Sequence, residues 1–245
     1  VGASSTTAVF TGLTGGTSYT FSVIASNGVG DSSASAASNA VTPYAVASAL
    51  AFSVEPRDGI AGSALSTQPV VRLTDSLGNT ATTATHAVTL AITSGTGKAG
   101  ASLAGTTTVN AVAAVATFTD IRIDGVAEGY TLTATASGVT EAVSNLFVVT
   151  SAAPTTLIFT TQPVGHIINQ GFTTQPVVKV TDNYGNLVSS INGVSVAIAI
   201  TSGTGAAGAA LSGTTTVTMT NGVAIFSDLS LDAYGTDYRL TASSS

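Results

Sequence analysis

The sequence has no cysteine and no tryptophan, a single methionine, and only 7% charged residues. Without cysteine there is neither a disulfide framework nor a thiolate metal site. Six bases against twelve acids leave a net charge of -6, with a pI near 4.5, so no basic surface is available to neutralise phosphates and nucleic acid is excluded as a partner. No apolar run approaches the roughly twenty residues that a membrane-spanning helix needs. The missing tryptophan and the 6% aromatic content also argue against a carbohydrate-binding module, whose sites stack sugar rings on exposed aromatics.

What is present is 44% apolar residues and 26 glycines in 245 positions, a content too apolar for a disordered tail and long enough for about two domains. Solubility has to come from Ser, Thr, Asn and Gly, a style suited to an exported bacterial surface protein. Position 1 is Val, and no charged segment precedes an apolar one there, so any export signal is expected outside this sequence, within a longer protein.

The chain repeats itself. Leu50, Phe52, Gln68, Val71, Asp75, Gly78 and Asn79 recur at a constant spacing of 107 as Leu157, Phe159, Gln175, Val178, Asp182, Gly185 and Asn186. From Thr93 onward the spacing is 108: Phe118, Asp120, Asp124, Tyr130 and Leu132 recur as Phe226, Asp228, Asp232, Tyr238 and Leu240. The one-residue insertion is therefore expected between Asn79 and Thr93. A period of this length is too long for a solenoid and suits a complete sandwich domain of about 100 residues.

Alternation with period two predicts strands and not helices. His86, Val88, Leu90 and Ile92 form an inward face, repeated by Val194, Val196, Ile198 and Ile200. Tyr130, Leu132 and Ala134 alternate with an outward set of Thr131, Thr133 and Thr135. Asp75 and Asp182 read as turn formers in D-x-x-G-N segments. Asn221-Gly222 signals a two-residue hairpin. Its counterpart is Ala113-Ala114, so the two turns are expected to differ in backbone conformation.

Leu13, Gly16-Thr-Ser-Tyr19 and the alternating residues after it resemble the last strands of a fibronectin type III domain, with Tyr19 as the corner tyrosine. The two repeats resemble bacterial immunoglobulin-like domains of the invasin and intimin type, through Val71-Arg-Leu-Thr-Asp75, Val178-Lys-Val-Thr-Asp182, Gly222-Val-Ala-Ile-Phe226, Tyr130-Thr-Leu-Thr-Ala134 and Tyr238-Arg-Leu-Thr-Ala242. The resemblance implies an all-β fold of tandem immunoglobulin-like β-sandwiches. The expected domains are a partial fibronectin-like unit at 1–43, a first sandwich at 49–149, and a second at 156–245 that lacks its last strand. In that family such domains are stacked spacers, and binding belongs to a distal tip domain.

Chemical motifs are few. Gly95-Thr-Gly97-Lys-Ala-Gly100, with Asp120 twenty residues on, matches a dinucleotide fingerprint in letters, and Gly203-Thr-Gly205-Ala-Ala-Gly208 with Asp228 repeats it. No helix follows to receive a pyrophosphate, so these read as glycine-rich loops. Asp120, Asp124, Asp228 and Asp232 are weak calcium candidates, too few in oxygen ligands for a cation that takes six to eight. His86 and His166 occupy unrelated places and have no recurring carboxylate or serine partner, against a zinc site or a catalytic triad. Arg72 and Lys179 read as edge or solubility residues, and Tyr19, Tyr130 and Tyr238 as packed corner tyrosines.

The expectation is a non-enzymatic structural segment of a secreted or cell-surface bacterial protein, without cofactors. Its partners would be neighbouring domains of a longer chain or copies of itself, and any cell-surface or matrix ligand would bind outside this segment. An accessory module of a secreted polysaccharide-degrading enzyme is the alternative.

Overall fold

The computed structural model describes residues 7–165 and 167–244. None of these residues is helical, and all regular structure is β. The leading segment holds β1 (Ser26–Asn27) and β2 (Gly30–Asp31). A first unit follows with β3 (Ala49–Val54), β4 (Gly59–Ile60), β5 (Val70–Thr74), β6 (Ala87–Ile92), β7 (Leu103–Ala104), β8 (Thr108–Asn110), β9 (Val115–Thr117), β10 (Arg122–Ile123), β11 (Ala127–Tyr130), β12 (Leu132–Thr135), β13 (Ala142–Val143) and β14 (Phe147–Thr150). A second unit holds β15 (Thr156–Thr161), β16 (Val177–Thr181), β17 (Ser195–Ile200), β18 (Leu211–Ser212), β19 (Thr216–Thr218), β20 (Val223–Ile225), β21 (Ser230–Leu231) and β22 (Leu240–Ser244).

The two units share topology and register. In unit 1 the orders β3-β5-β9 and β13-β12-β6-β8 face each other across the core, and β15-β16-β20 and β19-β17-β22 repeat them in unit 2. Val71 pairs with Ala116 as Val178 pairs with Ala224, and the bulge after Phe52 recurs after Phe159. These are tandem immunoglobulin-like β-sandwiches. Each has its own core: Val71, Leu73, Val88, Phe118, Ile121 and Leu132 in the first, Val178, Val196, Met219, Phe226 and Leu229 in the second. Burying a side chain of that size stabilises by about 1.5–3 kcal/mol, so each sandwich has its own driving force.

The inward face expected from alternation is the buried one, with Val88 and Leu90 in the core. Thr131 departs from the outward set and is buried. The turn after β6 folds over it: the Thr131 amide donates to Thr96 Oγ1, and the Thr93 amide donates to the Thr131 carbonyl. The inserted residue lies where it was expected. Ala84 and Ile191 accept equivalent amides from Ala114 and Gly222, and His86 and Val194 accept from Ala111 and Met219, so the extra residue sits in the loop between those points.

One expectation is overturned and one is narrowed. Ala113 and Ala114 adopt φ of 48° and 67°, nearly those of Asn221 and Gly222 at 49° and 72°. The turns are therefore the same, because Val112 and Val115 exchange both hydrogen bonds and a two-residue connection between right-twisted strands requires left-handed backbone at both positions. Of the edge and solubility readings of Arg72 and Lys179, the edge reading falls. Each lies on the central strand of its three-stranded sheet, with Arg72 pointing outward between Ala51 and Val115. His166 lies outside the described residues.

The leading segment is a long irregular hairpin. Tyr19 and Val41 exchange both hydrogen bonds, and the pairing continues from Phe21, Val23 and Ala25 to Ser38, Ser35 and Ser32. One arm advances by two residues while the other advances by three, and each serine hydroxyl accepts the amide that regular pairing would leave over. Val9, Phe10, Val23 and Ile24 are exposed on it.

Candidate functional site

The glycine-rich loops are built around the corner tyrosines. Gly95, Gly97 and Gly100 all have positive φ, as do Gly203, Gly205 and Gly208, which precludes a helix start. A Cβ on Gly97 would fall inside the ring of Tyr130, and one on Gly205 inside the ring of Tyr238. Tyr130 donates its hydroxyl to the Gly125 carbonyl at 2.9 Å, and Tyr238 donates to Ala233 at 3.0 Å. Tyr19 closes the same five-residue arc by accepting the Thr14 amide at 3.0 Å. Burial pushes the Tyr130 phenol up from its ordinary value, whereas the Thr14 amide pulls Tyr19 down.

The four aspartates named as calcium candidates each tie one chain segment to another that lies 14 or 22 residues earlier. Asp120 accepts the Thr106 amide at 2.8 Å, and Asp124 accepts the Ser102 amide at 2.7 Å. Asp228 and Asp232 do the same with Thr214 and Ala210. Thr214 holds the Asp228 carboxyl below its usual value through its amide and hydroxyl. Among the described residues no three acidic or histidine side chains gather into a metal-sized cluster.

Gln68 and Gln175 recur in the repeat pattern, but their role is visible only in three dimensions. Gln68 Nε2 donates to the carbonyls of Leu65 and Ile121, and its Oε1 accepts the Ile121 amide at 2.8 Å. Gln175 makes the same three bonds to Phe172 and Leu229. The side-chain amide thus acts as an extra peptide unit beside the direct backbone bonds from the Leu65 amide to the Ile121 carbonyl and from the Phe172 amide to the Leu229 carbonyl.

The most developed polar site is the joint between the sandwiches. It is made by the D-x-x-G-N turn of unit 2, which the sequence presents only as a turn. Asp182 Oδ1 accepts the amides of Tyr184 and Asn186, both at 2.9 Å. Its Oδ2 accepts the linker amide of Ala152 at 3.1 Å. Burial raises the Asp182 carboxyl, but these hydrogen bonds outweigh it and hold it below the ordinary carboxylate range. Asn186 then projects into unit 1. Its Oδ1 accepts Lys98 Nζ at 2.6 Å and the Val126 amide at 3.2 Å, and its Nδ2 donates to the Asp124 carbonyl at 2.7 Å. Tyr184 lies over Gly62, where a Cβ would occupy the same space as the phenol.

Asp182 and Asn186 are both 2% exposed, an extreme burial for a turn. The matching turn of unit 1 is built alike, with Asp75 accepting the Leu77 and Asn79 amides. There Leu77 is 73% exposed and Asn79 is exposed as well. The same local motif is thus a solvated turn in one copy and a buried joint in the other.

No protein-family model matches the chain, and no curated protein matches it. Three of the solved structures that resemble it are as follows. The Escherichia coli adhesin FdeC is 19% identical with a TM-score of 0.37, covering 89% of this chain, which spans 66% of that one. The chicken CNTN1 FN1–FN3 domains are 13% identical with a TM-score of 0.28, over 95% of this chain and 71% of that one. A chimeric titin tandem is 13% identical with a TM-score of 0.21, over 80% of this chain and 97% of that one. Among the described residues no helix is long and apolar enough to cross a membrane.

Proposed function

We propose that the chain is a structural spacer within a larger secreted or cell-surface bacterial protein, such as an adhesin, a stalk or an extracellular filament. No catalysis is assigned to it, and its partners are neighbouring domains of the same kind. The observation that carries this reading is the joint. A flexible tether needs no side-chain bonds between its domains, whereas here Asn186 and Lys98 tie one sandwich to the next and Asp182 fixes the linker between them. Two of the bonds reach backbone groups of unit 1, so the connection constrains orientation as well as distance. A spacer that holds a binding domain away from a surface works by that stiffness.

The absence of cysteine makes the test direct, because two introduced thiols can be labelled cleanly. Spin labels at Thr83→Cys and Ser227→Cys, one in each unit and both exposed, should give a single narrow distance distribution by pulsed electron resonance. Adding Asn186→Ala and Lys98→Ala should broaden it. A distribution already broad in the parent chain sinks the spacer reading.

A further inference from the structure

Each three-stranded sheet ends on a short strand that has no neighbour on its outer side among the described residues. β9 closes the order β3-β5-β9, and β20 closes β15-β16-β20. Unit 1 continues past β12 into β13 and β14, and neither covers β9, so the same edge at β20 is set by the fold and not by a strand missing beside it. The Phe226 amide donates to the Pro176 carbonyl, and the Val180 amide donates to the Gly222 carbonyl. Ile225 pairs with Val177 between those bonds, and antiparallel bonding alternates, so the Ile225 amide and carbonyl point away from β16. Its side chain is 64% exposed, while Ala224 and Phe226 on either side are buried in the core.

Edge strands are ordinarily blocked against pairing by lysine, proline or a bulge. None of these stands here. The stretch 214–227 contains no charged residue and no proline, and neither does its counterpart 106–119. β20 pairs with β16 without a shift of register. Unit 1 has exposed Thr117 where unit 2 has Ile225, so only unit 2 sets a large apolar side chain at the open backbone. A net charge of -6 makes copies of the chain repel one another, except across a flank that carries no charge. Turned about a two-fold axis, β20 meets its own copy in antiparallel direction. The register with Ile225 opposite Ile225 satisfies the outward amide and carbonyl of both in one exchange and packs the two exposed side chains on the same face.

We propose that β20 is a lateral self-association edge, at which two copies of this chain join their three-stranded sheets into one continuous sheet across a pair of Ile225 residues. The contact is one strand and one apolar pair per copy, so a single pair of chains associates weakly. Chains that already lie side by side in an extended assembly gain from many such contacts at once.

The chain has no cysteine, so Ile225→Cys gives a direct readout. Directly opposed Cα atoms in such a pair lie about 5.5 Å apart, within reach of a disulfide. Mild oxidation should link Ile225→Cys chains into dimers roughly tenfold faster than Thr117→Cys chains, which carry the thiol at the same position of unit 1. In sedimentation of the parent chain, the mass should rise above 23.9 kDa as concentration approaches the millimolar range. Ile225→Lys should hold it at 23.9 kDa, and Thr117→Lys should not. Both positions are exposed, and unchanged melting temperatures show that each variant is folded. A parent chain that stays at 23.9 kDa, or thiols that link no faster at 225 than at 117, overturns the proposal. Association that Ile225→Lys leaves intact places the contact on another surface and overturns it as well. So does an Ile225 amide that gains protection from hydrogen exchange only with an added foreign β-branched peptide and not with concentration of the chain itself.

Discussion

The side-chain amide of Asn186 donates to the carbonyl of Asp124, 62 residues earlier in the chain, at 2.7 Å. The same amide group also donates to Asp182, so one side chain closes its own turn and the joint to the preceding sandwich. Replacing it with alanine leaves buried partners unsatisfied on both sides, at a cost of about 1–3 kcal/mol. Asn79→Ala, in the exposed copy of the turn, should cost less than about 1 kcal/mol. Equal losses in urea melts of the two variants would refute a role for Asn186 beyond its turn.

Gln68→Leu and Gln175→Leu keep the approximate volume and remove the amide. Each strands the amide of Ile121 or Leu229 at the edge of a core and removes one of the two donors to the carbonyl of that same residue. The expected loss is about 2–3 kcal/mol, confined to the mutated unit. Calorimetry that resolves the two units should show only one transition moving in each variant.

The Ala113-Ala114 turn carries backbone strain that its copy avoids. A left-handed conformation costs an ordinary residue about 1–2 kcal/mol, and asparagine tolerates it better. Ala113 is exposed, so Ala113→Asn should stabilise unit 1 by about 0.5–1 kcal/mol, and Asn221→Ala should destabilise unit 2 by a similar amount. Ala114→Gly is expected to gain less, because Ala114 is fully buried and its methyl group is lost from the core.

Acid should weaken unit 2. The Asp182 and Asp228 carboxyls are held below their ordinary values by hydrogen bonds in the folded state. Their stabilisation is therefore complete above the unfolded carboxylate value of about 3.9 and is lost as pH falls through the lower folded values. A pH series of melting temperatures should fall below about pH 4, and Asp182→Asn should flatten that dependence.

Chelation is expected to leave both melting transitions in place. Asp120, Asp124, Asp228 and Asp232 each accept a backbone amide, and among the described residues no three acidic or histidine side chains gather, too few ligands for an ion that takes six to eight oxygens. A calcium-reversible drop in either transition would show that these carboxylates serve a metal as well as the backbone.

The sequence by itself determined the all-β class, the duplication and the inward strand faces, because these rest on local period-two patterning and on identity between copies. It also placed the insertion, since a change of spacing has to fall in a connection that core strands do not tolerate. It misjudged Ala113-Ala114 because residue preference favours a turn type without enforcing it, and strand twist imposed left-handed backbone on two alanines. The functions of Gln68, Gln175 and Asn186 were decided only in the tertiary structure. Asp75-x-x-Gly-Asn79 and Asp182-x-x-Gly-Asn186 are the same motif with the same internal hydrogen bonds, and only what packs beyond the turn separates an exposed loop from a buried joint.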